Sequence, residues 1–441
     1  MNLVAFSFDI CYIVTDRSLT GLKGMTKEII MEAAYKVWGR EFYHDTSLSR
    51  VARELKVCKP ALYRHFRNKQ ALLDAMTVHF FDNFSAFILP DYEKAMKSGD
   101  SRGIFTLTRS VAEYYARNVL IFIFAMIKLH DREIEGVKIN EEFRARGIDL
   151  EHFSRSVMKN FDIPSLILRL SFATLTFYMA EFHKKEKSLA GPPSEAAIST
   201  IINLVGAIIK QGLGYQHSEI DALDYTGLES RITGVNSIED DPLLKAVAGA
   251  VAEAGPWEAS MEQVARRSGL SKSSLYYHFE SKQDMLHQLF KTESQRIIDF
   301  ARQGIRQSAV PQEQLYLGIF SITEYLRAKP DILITLDWLR TRRPSLKPPD
   351  GEIDEQEYEF LWLFEEIDIR PLRNSGCPFN ELLGEDGRIS PWILFLIANT
   401  LMQNDPKKTI QKVQNSDIRF LYRLIALGIG GFKSGGVGNG E

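Results

Sequence analysis

The sequence predicts an all-α protein made of two related halves, and three observations support this. A stretch of 23 residues occurs twice without a gap, at a constant offset of 213 residues. Apolar residues in both copies recur at helical spacing. Both copies also carry residues that begin and end helices. The copies start at Ser47 and Ser260 and read SLSRVARELKVCKPALYRHFRNK and SMEQVARRSGLSKSSLYYHFESK. A match of this density indicates that one unit was duplicated or that two related units were fused.

Apolar spacing and capping residues mark the first two helices of each unit. Thr26 to Trp38 has apolar residues at helical spacing, and Leu243 to Ala252 is its counterpart. Ser47 and Ser260 then offer an N-cap oxygen for the second helix. In the second unit, Ser260 and Gln263 form the pattern of a capping box.

The turn and the third helix differ between the two units. Gly269 can end the second helix in a left-handed turn, whereas Lys56 is expected to strain the same turn in the first unit. Ser271 is a good cap for the third helix, and Cys58 in its place is a poorer one. Each unit is therefore predicted to be three helices, the last two of which form a helix-turn-helix.

The strings YRHFRNK and YYHFESK, each after a V-A-containing helix and a turn, resemble the DNA-binding signature of the tetracycline-repressor (TetR) family. The resemblance covers roughly a quarter of the chain. It implies that the third helix, Lys59 to Phe66 or Lys272 to Phe279, enters the major groove of double-stranded DNA. It also implies the following set of DNA-contacting residues: Ser47, Lys59, Pro60, Ala61, Tyr63, Arg64, His65, Lys69, Ser260, Lys272, Ser273, Ser274, Tyr276, Tyr277, His278 and Lys282.

The resemblance assigns most of these side chains to phosphates and the rest to bases. Lysines, tyrosines and histidines of the motif are expected to contact the phosphate backbone. Recognition of the base sequence is assigned to the positions that differ between the units. These are Pro60, Ala61 and Arg64 in the first unit and Ser273, Ser274 and Tyr277 in the second. Residues 25–75 hold ten Lys and Arg against six Asp and Glu, whereas residues 241–290 hold five against six. Because phosphate neutralisation supplies non-specific affinity, we expect the first unit to bind DNA more strongly.

The remaining segments read as helices and define the domain organisation. The predicted domains are a loosely ordered leader (1–24), a first helix-turn-helix domain (25–75), a first helical sensor and dimerisation domain (76–213), a linker (214–241), a second helix-turn-helix domain (242–288), a second sensor and dimerisation domain (289–432) and a flexible tail (433–441). In the TetR family the last two helices of the sensor domain pair with a second subunit. The candidates here are 165–184 with 194–211 and 391–403 with 417–428, although their apolar residues could instead fill their own domain core.

The length of the linker leaves two assemblies open. An extended linker of 28 residues spans at most ~90 Å, which lets the second half fold back beside the first. We therefore predict an intramolecular pseudo-dimer on an asymmetric operator. The alternative is a homodimer of the tandem chain with four motifs.

The resemblance also implies a small apolar or aromatic ligand in the sensor domains, whose binding releases DNA. The aromatic candidates for lining such pockets are Phe105, Tyr115, Phe122, Phe177 and Tyr178 in the first half and Trp338, Tyr358 and Trp362 in the second. Ordinary core packing is the alternative for each of them. The family's usual mode is repression.

Composition and motifs argue against other classes of protein. The net charge is −3, and the three cysteines have no metal-like spacing, so a reducing cytoplasm is expected and no metal or cofactor is predicted. No signal peptide or membrane-spanning run of ~18–20 apolar residues is evident, so no membrane partner is expected. Motifs of phosphate-binding loops, zinc proteases and serine hydrolases are missing, which argues against an enzyme. A protein-interaction or sensor module with weakened DNA binding remains the rival function, because Lys56, Cys58 and Pro60 depart from the family pattern.

Overall fold

The computed structural model describes residues 26–40, 47–100, 102–130, 139–157, 164–186, 193–235, 241–335, 363–364, 367, 389–401 and 413–432. These ranges contain helices and no strand, which confirms the all-α prediction. The described residues divide into two compact units, which we call the N-terminal unit (through Gly206) and the C-terminal unit (from Ala207).

The N-terminal unit is a run of ten helices among its described residues, the last of which continues into the C-terminal unit. They are α1 (Lys27–Arg40), α2 (Leu48–Glu54), α3 (Lys59–Tyr63), α4 (Lys69–Ser98), α5 (Arg102–Arg117), α6 (Val119–His130), α7 (Ile139–Arg144), α8 (Leu150–Val157), α9 (Pro164–Glu186) and α10 (Glu195–Gln211). The aromatic rings of α4 form the centre of its core. Phe84 packs edge-on against Tyr114 of α5 at 5.1 Å between ring centroids, and Phe81 packs in the same way against Phe143 of α7.

The C-terminal unit repeats the plan after two short helices. Its described helices are α11 (His217–Asp221), α12 (Tyr225–Arg231), α13 (Pro242–Glu258), α14 (Met261–Ser268), α15 (Lys272–His278), α16 (Lys282–Ile305), α17 (Pro311–Ala328), α18 (330–335), α19 (Ser390–Leu401) and α20 (Asn415–Leu427). Tyr316 of α17 lies at its core, in ring contact with Tyr225 of α12 and Tyr422 of α20.

The long helices α4 and α16 join the predicted DNA-binding domains to the predicted sensor domains. The predicted domain borders at residues 75 and 288 fall inside these two helices. Among the described residues, α4 is long and apolar enough to cross a membrane by length and composition, although no such run was predicted from the sequence. Half of the most apolar stretch of α4 is buried inside the structure.

The predicted linker contains two helices that pack on the C-terminal unit. Glu229 of α12 accepts hydrogen bonds from Tyr316, Asn415 and Arg419, at 2.5, 2.9 and 2.6 Å. Upstream, the backbone N–H of Leu213 donates to the carbonyl of Ile425 at 2.7 Å. We call residues 212–231 the docked segment. The expected extended linker of 28 residues is therefore replaced, over most of its length, by folded chain.

The helices predicted for subunit pairing bury their large apolar side chains. On α10 the isoleucines, leucine and valine between Ile198 and Ile209 are all buried. The same holds for 392–397 on α19. The predicted leader (1–24) and tail (433–441) lie outside the described residues.

Candidate nucleic-acid interface

Each unit contains a helix-turn-helix whose inner face is fixed by buried apolar residues. In the first unit Leu62 and Phe66 are 0% and 4% exposed, and Val51 of α2 is also buried. In the second unit Leu275 and Phe279 are 0% and 2% exposed. Because one face of α3 and of α15 is locked into the core in this way, the side chains between these positions point to solvent.

The turns before the third helices differ as the sequence predicts. Lys56 has a φ of +56°, and among the described residues no other non-glycine has a positive φ. Gly269 occupies the equivalent position with a φ of +70°. A side chain in the left-handed region is strained by contact between its Cβ and the backbone, so the first turn stores strain that the second lacks.

Capping also differs between the two units. Ser260 and Gln263 form the predicted capping box, in which Ser260 Oγ accepts from Gln263 N–H at 3.2 Å. The prediction of a capping oxygen at Ser47 is wrong, because its side chain makes no cap hydrogen bond. Ser271 Oγ accepts from Ser274 N–H at 3.0 Å, whereas Cys58 makes no such bond. The better cap coincides with the longer helix, since α15 has seven residues and α3 has five.

The third helices are shorter than predicted. The first was expected to reach Phe66 but ends at Tyr63, and the second was expected to reach Phe279 but ends at His278. Arg64 follows as the C-cap of α3 and so lies just beyond the helix, although its backbone is still helical. At the equivalent position Tyr277 is inside α15. Arg64 therefore lies just outside a helix, whereas Tyr277, at the equivalent position, lies inside one.

The structure places most of the predicted DNA-contacting residues at the surface of the described chain. In the first unit Lys59, Pro60, Tyr63 and Arg64 are exposed, while Ala61 and His65 are half-buried. Lys59 Nζ lies 5.7 Å from the centroid of the Tyr63 ring. In the second unit the exposed residues are Lys272, Ser273, Tyr276, Tyr277 and His278, and Ser274 is half-buried. Tyr277 is 90% exposed, which is unusual for an aromatic side chain.

The N-termini of α4 and α16 lie next to the third helices. Asn68 caps α4 and accepts from Ala71 N–H at 2.8 Å, and Ser281 caps α16 in the same manner. Lys69 and Lys282 are the first residues of these helices and are half-buried. The first turn of α4 contains no acidic residue, whereas that of α16 contains Asp284. A phosphate at a helix N-terminus is favoured by the helix dipole and disfavoured by a carboxylate, so this difference favours the first unit.

Exchanging the turn residues is expected to change stability in opposite directions. Lys56→Gly should stabilise the N-terminal unit by ~1 kcal/mol, because it removes left-handed strain at a position already held in that conformation. Gly269→Ala should destabilise the C-terminal unit by ~1 kcal/mol, although no atom lies within 4 Å of the added Cβ. Urea unfolding followed by peptide-resolved hydrogen exchange measures each unit separately. A loss of stability in Lys56→Gly would contradict the strain assigned to this turn.

The predicted ligand-lining residues of the first half are only partly brought together. Tyr115 and Phe122 are buried with ring centroids 5.2 Å apart. Phe177 and Tyr178 are buried in contact with each other, whereas Phe105 is half-buried. The three aromatic candidates of the second half, Trp338, Tyr358 and Trp362, lie outside the described residues.

His183 belongs to no sequence motif, but the structure buries it beside Tyr115 and Phe122. A lone histidine in an apolar helix carries no sequence signal that separates it from an ordinary core residue. In the part of the chain that the structure describes, no group of three or more His, Cys, Asp or Glu residues is arranged to hold a metal ion.

Comparisons with known proteins agree with the geometry of the two motifs. The family model "Bacterial regulatory proteins, tetR family" matches residues 30–76 and 243–289. The chain is 23% identical over 184 residues to the fatty acid metabolism regulator protein of Bacillus subtilis (strain 168), a match that covers 41% of this chain and 91% of that protein.

A second relative supports the DNA-binding motif alone. The chain is 35% identical over 63 residues to the uncharacterized HTH-type transcriptional regulator YuxN of the same organism, covering 14% of this chain and 22% of that protein. Both matched family segments begin in the helix before the helix-turn-helix, α1 or α13, and end within the following long helix, α4 or α16. Two segments that match the DNA-binding domain of the TetR family therefore stand in tandem in this chain.

Proposed function

We propose that this protein is a ligand-responsive transcriptional repressor that binds one asymmetric operator with its two helix-turn-helix units. The observation that carries the proposal is the exposure of Tyr63 and Arg64 beside buried Leu62, and of Tyr276 and Tyr277 beside buried Leu275. TetR-family regulators bind double-stranded DNA. The exposed side chains are of the kinds that contact phosphates and base edges.

Replacing one lysine in each unit tests whether the protein binds DNA through these helices and which unit binds more strongly. Lys59→Ala is expected to weaken binding to the DNA that flanks the protein's own gene by about tenfold, and Lys272→Ala by less, because the first unit has more positive charge around its motif. The measurement is fluorescence anisotropy over a range of salt concentrations, in which each lost phosphate contact lowers the salt slope by about one.

Lys94→Ala provides the matched control, because it removes one exposed positive charge far along α4. It should leave affinity nearly unchanged. If Lys272→Ala weakened binding more than Lys59→Ala, the ranking would be wrong. If neither variant differed from the control, DNA contact by the third helices would be refuted.

Assembly as an intramolecular pseudo-dimer is part of the proposal. Two features of the structure support it: the docked segment replaces a long flexible linker, and the described helices of the pairing candidates already bury their large apolar side chains. A second copy of the chain would thus find little free apolar surface on these helices. Light scattering at micromolar concentration is expected to give the mass of one chain, 50.3 kDa. A particle of twice that mass would favour the homodimer.

The proposed ligand is a small apolar or aromatic molecule bound in the sensor domain. The aromatic core of the N-terminal unit supports this, as does the similarity to a protein whose name refers to fatty acid metabolism. Ligand binding would favour a spacing of the DNA-binding domains that no longer fits the operator. A cytoplasmic location follows from this function.

A protein-interaction or sensor module with weakened DNA binding is the second candidate. It is favoured by the second unit, where Glu280 stands in place of Arg67 and residues 241–290 hold more acidic than basic residues. A gel-shift assay at low salt distinguishes the two functions, because folded protein that shifts no flanking DNA would be the interaction module.

A further inference from the structure

His183 on α9 is a buried polar group whose bonding capacity is only half used. The residue is 2% exposed, and Nε2 lies 2.8 Å from the backbone carbonyl oxygen of Tyr115. Because a carbonyl oxygen can only accept, Nε2 carries the proton. In a neutral ring Nδ1 then carries a lone pair, and no hydrogen bond to it is seen among the described residues. Nδ1 is not one of the fully buried side-chain atoms that lack a hydrogen-bond partner, so its lone pair stays within reach of solvent or of a small molecule.

The surroundings of His183 are aromatic. The ring of Phe122 on α6 lies 5.4 Å from the imidazole, and the ring of Phe182 lies 5.2 Å away. Tyr115, whose carbonyl accepts from His183, also packs edge-on against Phe122. Burial lowers the pKa of His183 to about 4, so the ring stays neutral in a neutral cell. The first residues of α6, 119–121, are partly exposed, which leaves an approach from solvent beside this cluster.

We propose that Nδ1 of His183 is the polar anchor of the ligand site in the N-terminal unit, where it accepts a hydrogen bond from an aromatic or apolar molecule that carries a neutral O–H or N–H donor. This proposal rests on the ligand-responsive function given above and specifies its chemistry. Phe122, Phe182 and Tyr115 supply the apolar walls. A carboxylate is the wrong polar group, because it offers only acceptors to a ring nitrogen that is itself an acceptor.

The position of α6 gives this site a route to the DNA-binding domain. Phe122 belongs to the anchor cluster, and Phe124 on the same helix packs against α1. The Phe124 ring lies 5.0 Å from Tyr35 and 6.5 Å from Trp38, both on the first helix of the DNA-binding domain. Tyr35 in turn donates a hydrogen bond to the carbonyl of Met76 on α4. A ligand that displaces Phe122 therefore shifts a helix that directly contacts the DNA-binding domain.

A matched series of aromatic probes tests the anchor without DNA. The full chain is titrated with 1-naphthol, which has a neutral donor, with 1-methoxynaphthalene, which has none, and with 1-naphthoate, which is an anion. The expected result is that 1-naphthol binds about tenfold more tightly than 1-methoxynaphthalene, as one buried hydrogen bond provides, and that 1-naphthoate binds least. Hydrogen exchange should show protection in α5, α6 and α9 on addition of 1-naphthol.

Variants of His183 decide whether the preference comes from this residue. His183→Phe fills the space without an acceptor and should abolish the preference for 1-naphthol over its methyl ether, while His183→Gln, which can both donate and accept, should keep part of it. Thermal unfolding shows whether each variant is folded. If His183→Phe does not fold, a reduced preference for 1-naphthol in His183→Gln is the deciding result. The proposal would be overturned if 1-naphthol did not bind, or if the methyl ether bound equally well. It would also be overturned if 1-naphthoate bound more tightly, or if both variants kept the full preference for 1-naphthol. These titrations contain no DNA, so they test the ligand site separately from DNA binding. If the protein bound 1-naphthol as expected but did not bind its operator, only the proposed function would be overturned.

Discussion

Gly212→Ala is expected to destabilise the C-terminal unit by ~3 kcal/mol or more. Gly212 follows α10 with a φ of +56°, where an L side chain is already strained. A Cβ at this position would overlap the backbone oxygen of Ile425 and the backbone nitrogen of Gly428. Neither atom belongs to a flexible side chain, so the backbone itself would have to move. Urea unfolding resolved by hydrogen exchange should show the loss in peptides of α20 and the docked segment.

Gly99→Ala separates steric overlap from backbone strain. Gly99 ends α4 with a φ of +63°, nearly that of Gly212, but no atom lies within 4 Å of an added Cβ. Its replacement should therefore cost only the left-handed strain, ~1 kcal/mol. Equal losses in the two variants would show that the close approach of residues 212 and 425–428 does not exist in solution.

Glu229→Ala is expected to be the other large loss, roughly 2–3 kcal/mol from the C-terminal unit. The Glu229 side chain is 10% exposed and holds Tyr316, Asn415 and Arg419 together. Removal leaves the buried Tyr316 hydroxyl and two half-buried donors without this acceptor, which is more costly than the loss of an exposed ion pair. Asp221→Ala is the matched control. It removes the partner of Arg423 from the same docked segment at a more exposed position, and should cost less than ~1 kcal/mol.

The same carboxylate gives the docked segment a defined pH dependence. Burial raises the pKa of Glu229, but hydrogen bonds from Arg419, Tyr316 and Asn415 outweigh this effect, so the pKa lies below the ordinary value for a glutamate. A lowered folded-state pKa means that the stabilisation is present above the unfolded-state pKa and is lost as pH falls through the folded-state value. We expect stability of wild type to fall below about pH 4.5 more steeply than that of Glu229→Gln, measured by urea unfolding at each pH. If stability fell with pH in parallel for the two proteins, the ion pair between Glu229 and Arg419 would be contradicted.

The helix-turn-helix units could be predicted from sequence because their signals are local. The capping box at Ser260, the left-handed turn at Gly269 and the weak cap at Cys58 each depend on residues within one turn of helix. The strained φ of Lys56 followed from comparison of the two copies. The lengths of α3 and α15 were overestimated because a shared motif does not show where each copy stops forming helical hydrogen bonds.

The docked segment and the His183 cluster could not be predicted, because both depend on contacts between distant residues. Glu229 and Arg419 are 190 residues apart, and α11 and α12 are too short to show apolar periodicity. His183 and Tyr115 are 68 residues apart, and the bond uses a backbone carbonyl, which any residue type provides. Composition therefore indicated a polar linker where the chain forms a folded part of the second unit.

Helix α10 has a practical consequence for anyone who would divide the protein. The border between the two compact units falls between Gly206 and Ala207, inside a continuous helix. A polypeptide that starts at residue 242 would lack the acceptor for Tyr316, Asn415 and Arg419, and one that stops at 241 would lack their side chains. A single cut at the start of the second DNA-binding domain therefore leaves both products without part of this bonded group.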